Sequence, residues 1–185
     1  MTSIQAWLGK GLTPQGFIDW MSKNQETFKD NYGKVTFNEA DEAFFNTFNR
    51  DGVRCAIIAS DWCGDVVRNV PVVFQFMEQA GIPTEVFILE ENDELIQPFL
   101  LYGGKSIPVV LLTNEKGEVI YRWGPRPAYV QQPMADFKAL NLDRESDEYK
   151  EKVKDVYAEM MKRYGEGTGY YRYIIDEFKD VLGNL

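Results

Sequence analysis

"AIIASDWCGDVVRNV", residues 56–70, is the stretch on which the fold of this 185-residue chain turns. The run "VRCAIIAS", 53–60, is rich in β-branched and apolar residues without alternation, which predicts a strand buried on both faces. From Cys63 the spacing changes to that of a helix, predicted over 63–80 and stopped by Gly81. Pro71 falls inside it, and a residue with no N–H is expected to bend or interrupt the helix there. Cys63 therefore stands at the first turn, where unpaired backbone N–H groups and the positive end of the helix dipole favour a thiolate. Asp61 and Asp65 oppose this, because like charges disfavour the thiolate. The balance predicts a small or moderate lowering of the Cys63 pKa, with the sulfur exposed if it reacts. No cation lies close in sequence; Arg68, five residues on, is expected to point away.

Working outward, "TPQGFIDWMSKNQETFKD", 13–30, predicts one helix with Thr13 as its cap and Pro14 in its first turn. "NEADEAFFNTFNRDG", 38–52, predicts a second, capped by Asn38 and ended by Gly52. After the 63–80 helix come a strand in "PTEVFILE" and a short helical segment broken at Pro98. "IPVVLLTN" and "GEVIYRWG" flank the turn "NEKG" and predict a hairpin. "RPAYVQQPMADFKAL" is helix-like, and two more helical patterns surround "YGEGTGY", 164–170. A βαβ unit followed by a hairpin predicts an α/β fold, a mixed sheet of four to five strands flanked by helices. The reading gives a single domain over 1–185, with a core of about 35–140, an N-terminal helical extension over 1–34 and a C-terminal one over 141–185. The C-terminal pair, rich in Tyr and Phe, is expected to cover part of the core.

Composition narrows the function classes. The formal net charge is −9, from 29 acidic and 20 basic residues. That surface repels a phosphate backbone, and no basic patch offsets it, so nucleic acid is not an expected partner. The longest apolar runs are strand-sized, which predicts no membrane span, and the opening residues lack the pattern of a secretory leader. Two cysteines do not make a disulfide framework, so a reducing, cytoplasmic location is expected. The chain contains no histidine, which excludes Ser-His and Cys-His catalytic arrangements and histidine metal sites. No metal or resident cofactor is implied.

"ASDWCGDV" after a strand, with "KSIPVV" about 45 residues later, resembles the thioredoxin superfamily, and within it bacterial thioredoxin-like proteins whose site reads Trp-Cys-Gly-Asp-Cys. The resemblance covers roughly residues 35–140. It implies a thioredoxin-like fold in which Trp62 precedes the nucleophile, Cys63 is the attacking cysteine, and Gly64 and Asp65 are the intervening pair. It also implies that Pro108 is a cis-proline facing the nucleophile, and that the backbone at Ile107 pairs with an extended substrate. Gly124 after the last strand fits the same pattern. Val66 occupies the place of the resolving cysteine, and there the chain departs from the family.

A dithiol reductase cycles by internal attack of its second thiol. With Val66 at that position, a mixed disulfide on Cys63 must await an external thiol, such as glutathione or a protein cysteine. Monothiol exchange, oxidation sensing through a sulfenic acid, and trapping of a partner survive this restriction. Glutathione is then a co-substrate, and the partners are protein or glutathione thiols and disulfides. The competing expectation is a non-catalytic thioredoxin-fold binding module in which Cys63 is incidental. Cys55, within the strand, reads as core packing, and a Cys55–Cys63 bridge is not expected, since the two lie toward opposite ends of that strand. Lys105 is a candidate positive charge near Cys63, and Arg126 with Trp123 a candidate recognition patch.

Overall fold

The computed structural model describes residues 2–185. Four strands, β1 (Arg54–Ala59), β2 (Thr84–Ile88), β3 (Val109–Thr113) and β4 (Val119–Trp123), form one sheet in the order β2-β1-β3-β4. β1 pairs parallel with β2 and antiparallel with β3, and β3 pairs antiparallel with β4, so the sheet is mixed. β1 is central, and Cys55 to Ala59 are all buried, as its unalternating sequence requires. Helices α1 (Pro14–Trp20), α2 (Gln25–Lys34), α3 (Glu39–Thr47), α4 (Gly64–Gln79), α5 (Asp93–Ile96), α6 (Ala128–Ala139), α7 (Asp147–Arg163) and α8 (Tyr170–Gly183) flank it. Among the described residues no helix is long and apolar enough to cross a membrane.

Both edges of the sheet are blunted by the first dozen residues. Leu12 exchanges two backbone hydrogen bonds of 2.8 Å with Val86 on β2, and Thr2 accepts from the Val119 amide of β4 at 2.8 Å. Unpaired strand edges invite association, and these contacts remove part of that exposure.

Residues 13–30 form two helices rather than the single one expected. Thr13 does cap α1, accepting from the Gly16 amide at 3.0 Å. The chain then breaks, with Asn24 in the left-handed region at φ 57°. The break has a tertiary cause: the Ser22 and Lys23 amides both donate to Asp61, each at 2.9 Å, instead of continuing a helical ladder. α3 begins at the predicted Asn38 cap, which forms a reciprocal capping box with Asp41. It ends at Thr47, before Gly52, which instead takes φ 76° in the turn into β1.

α4 runs without interruption through Pro71, where the sequence predicts a bend or an interruption. Proline leaves the carbonyl four residues back without its donor. That carbonyl belongs to Val67, and Asn31 of α2 supplies the missing donor through Nδ2 at 2.9 Å. A neighbouring helix thus completes the ladder that the sequence of α4 leaves open.

α8 buries Ile174, Ile175, Phe178 and Leu182 in the main core, while α7 packs on α6 around Val130, Met134, Phe137 and Met160. Tyr157 and Tyr173, from the same aromatic-rich tail, remain exposed. α8 is tied to α3 through Asp41, which is fully buried. Its carboxylate takes two bonds of 2.6 Å from Arg172, one of 2.8 Å from Lys179 and one of 2.9 Å from the Asn38 amide. The Arg172 hydrogen bonds hold the Asp41 carboxyl well below the usual carboxylate range, with help from Lys179 and Asn38 against the opposing effect of burial. The stabilisation is complete above the unfolded carboxyl value of about 3.9 and is lost as pH falls through the depressed folded value. Asp41→Ala is expected to lower unfolding free energy at neutral pH by about 2–3 kcal/mol, less than for a fully enclosed pair because Arg172 regains solvent. Urea titration measures this, and Asp41→Asn should remove this part of the acid sensitivity below about pH 4.

Candidate functional site

β1 delivers the chain to a turn, Ser60-Asp61-Trp62, and Cys63 then serves as the N-cap residue of α4, in extended conformation at φ −83°, ψ 120°. The turn is held on two sides. Asp61 accepts from the Ser22 and Lys23 amides and from the Ser22 hydroxyl, at 2.9, 2.9 and 3.1 Å. Burial pushes its carboxyl up, but these donors outweigh burial and leave it below the ordinary range. On the other side Glu90 accepts from the Trp62 indole at 2.6 Å and from the Ser60 hydroxyl at 3.0 Å. Trp62 itself is half exposed, at 51%.

The Cys63 sulfur lies beneath this turn. Its residue is only 8% exposed, contrary to the exposed sulfur expected of a reactive thiol, and the thiol donates to the Ile107 carbonyl at 3.3 Å. The Ile107–Pro108 bond is cis. The same loop is pressed against the end of β4: a Cβ on Gly124 would sit 2.3 Å from the Pro108 carbonyl oxygen. Only glycine fits that approach, and its φ of 103° is one that side chains oppose. Val66, one turn into α4, is completely buried, so the place of a second thiol is filled by packed hydrocarbon.

The thiol is not lowered as expected. Burial pushes the Cys63 pKa up, the Val66 amide opposes it, the Asp65 charge raises it further, and the Asp65 amide and Arg126 charge bring it part of the way back. The net result lies above the ordinary thiol value. The helix terminus acts in the expected direction, but desolvation exceeds it.

Asp65 belongs to a charged cluster that no local pattern reveals. Arg126, from the loop before α6, reaches it twice, Nη2 to Oδ2 at 2.6 Å and Nε to Oδ1 at 3.0 Å. Tyr164, from the end of α7, donates to Asp65 Oδ1 at 2.9 Å. Asn69 donates to the Tyr164 hydroxyl at 2.7 Å and to the Pro125 carbonyl at 2.9 Å. Burial, and then the Asp65 charge, push the Tyr164 hydroxyl far above its ordinary value, so it remains a donor. An unpaired acid beside the thiol was the one sign in the sequence that a cation had to come from elsewhere.

Other expectations change. Arg126 does not pair with Trp123, whose indole instead donates to Glu177 and whose ring is buried against Phe178. Lys105 is paired with Asp93 and does not serve Cys63. Arg68 turns back along α4, its Nη1 donating to the Gly64 carbonyl at 3.0 Å, and the positive charge that acts on the Cys63 thiol is that of Arg126 instead. Cys55 and Cys63 are both free thiols; Cys55 is buried, which pushes its pKa to about 12. Among the described residues, no group of three or more acids or cysteines is placed to hold a metal ion.

A family model described as thioredoxin matches residues 11–138. The chain belongs to this thioredoxin family. Among solved structures it is similar to an HIV epitope-scaffold, at 17% identity over 100% of this chain and 99% of that one, with a TM-score of 0.69. It is also similar to a protein of unknown function from Pseudomonas aeruginosa, at 20% identity over 88% of this chain and 99% of the other, with a TM-score of 0.60. At these identities the likeness shows the thioredoxin-like fold alone. No curated protein matches the chain.

The burial and raised pKa give a direct expectation. Alkylation of Cys63, followed by mass spectrometry of the folded protein, should be slower than that of a free thiol at neutral pH. It should climb as pH passes above the ordinary thiol value of about 8.5. Cys55 should stay unmodified until the chain unfolds. A Cys63 that reacts at pH 7 faster than free cysteine contradicts this account of the site.

Proposed function

We propose that the chain is a cytoplasmic thioredoxin-fold protein that carries out slow monothiol exchange at Cys63, with Trp62, Gly64, Asp65, Val66, Ile107 and Pro108 shaping the site. The observation that carries this reading is the position of Cys63 as the N-cap residue of α4, before the free amides of the first turn, with its sulfur 3.3 Å from the carbonyl of Ile107. The amides stabilise negative sulfur as it develops, and the carbonyl holds the thiol proton at rest. Val66 restricts the chemistry to one thiol.

The exchange balances with glutathione as co-substrate. Cys63 loses its proton, and its thiolate attacks one sulfur of oxidised glutathione. The disulfide bond breaks, a Cys63–glutathione disulfide forms, and the departing glutathione thiolate takes up the proton. Cys63 is oxidised and the departing sulfur reduced. A second glutathione thiolate then attacks the glutathione sulfur of the adduct, restoring Cys63 and regenerating oxidised glutathione. With a glutathionylated protein in place of oxidised glutathione, the same steps remove the modification.

One observation favours a second reading, a binding module without chemistry: Cys63 is 8% exposed, beside a half-exposed Trp62. Incubation with oxidised glutathione separates the two. Exchange predicts a single glutathione adduct, absent in Cys63→Ser, that forms faster as pH rises from about 7 toward 10. Absence of the adduct throughout that range leaves the binding reading. Val66→Cys should add an internal resolving thiol and raise insulin-disulfide reduction at least about tenfold over the natural chain.

A further inference from the structure

A cavity of about 340 Å³ lies between α2, the first turns of α4 and the segment joining α7 to α8. Gly64, the residue after Cys63, forms part of its wall. Asn24, Thr27 and Asn31 line it from one side, Arg68 from α4, and Tyr164 and Tyr170 from the C-terminal helices. The volume falls in the range of small-ligand sites.

Its polar groups are sorted by the bonds they already make. Arg68 donates to the Gly64 carbonyl and stands 5.3 Å from the centroid of the Tyr164 ring. It forms no ion pair among the described residues, and a guanidinium has five N–H donors, so most of its fork is available. Asn24 commits its amide nitrogen to the Asp61 carbonyl, and Asn31 commits its own to the Val67 carbonyl, both at 2.9 Å. An amide fixed by its nitrogen offers its oxygen as the remaining polar end. Neither oxygen receives a donor from the described residues, and Thr27 adds a hydroxyl on the same helix.

One cation set against two fixed acceptors and a hydroxyl is the complement of an α-amino carboxylate. The guanidinium suits the carboxylate, in a charge-assisted fork, and the amide oxygens suit the ammonium. A simple anion would leave the two amide oxygens without a donor; a simple cation would meet Arg68. We propose that this cavity binds the α-amino carboxylate head group of a small thiol or disulfide, the γ-glutamyl end of glutathione being the example, and so holds its sulfur near Cys63. The proposal rests on the monothiol reading for its purpose, not for the binding itself.

S-Methylglutathione, which cannot exchange, is titrated into the Cys63→Ser chain and followed by calorimetry. Saturable binding is expected, with competition by free glutamate and none by acetate at the same concentration. Arg68→Met should weaken it at least about tenfold, and so should N-acetylation of the ligand, because each removes charge-assisted hydrogen bonds. If Arg68→Met unfolds the chain, the acetylated ligand on Cys63→Ser carries the same test. No saturable binding, or binding insensitive to acetylation, overturns the proposal. Glutathione adduct formation by the natural chain without such binding overturns this site and leaves the exchange standing. Binding without adduct formation supports the site and overturns the exchange.

Discussion

The buried carboxylate of Asp61 is the constraint on which this molecule is arranged. It is 5% exposed, and a buried carboxylate without donors costs several kcal/mol. The donors come from Ser22 and Lys23, so the α1–α2 segment must break where it does and lie against the turn that carries Cys63. Once α2 is held there, Asn31 reaches the carbonyl that Pro71 leaves open, and Asn24 ties back to the Asp61 carbonyl. The thiol turn, the continuity of α4 and one wall of the neighbouring cavity share this single origin.

The same packing sets the chemical character of Cys63. A cysteine at a helix start is favoured as a thiolate by amides and dipole, but here burial outweighs those contributions. Val66 contributes to the dryness, the cis Ile107–Pro108 segment closes the other side, and Asp65 adds a like charge. Arg126 returns part of the lost stabilisation, yet its charge is already shared with Asp65. The result is a thiol that keeps its proton at rest and donates it to the Ile107 carbonyl.

The C-terminal helices lie beyond the matched region of 11–138 yet enter the site directly. Tyr164 bonds Asp65, Tyr170 donates to the Arg68 carbonyl at 3.0 Å, and α8 closes the core around Phe178. They are therefore structural members of the site, and not an appendage hung on a finished sheet.

Sequence by itself determined the elements and their order: the buried strand before Cys63, the helix after it, the hairpin around "NEKG", the Thr13 and Asn38 caps and the α/β class. Each is a local property, written in periodicity, turn residues or capping side chains. It also determined that one thiol stands at position 63 with no partner at 66. Only the tertiary structure decided that residues 13–30 divide, that α4 survives Pro71, and that the Cys63 pKa rises. In the first two cases a side chain 36 to 39 residues away supplies or claims a hydrogen bond. In the third, burial by elements from the whole chain outweighs the local field of one helix. Hydrogen-bond partners and desolvation are set by what packs against a residue, and adjacency along the chain does not encode them.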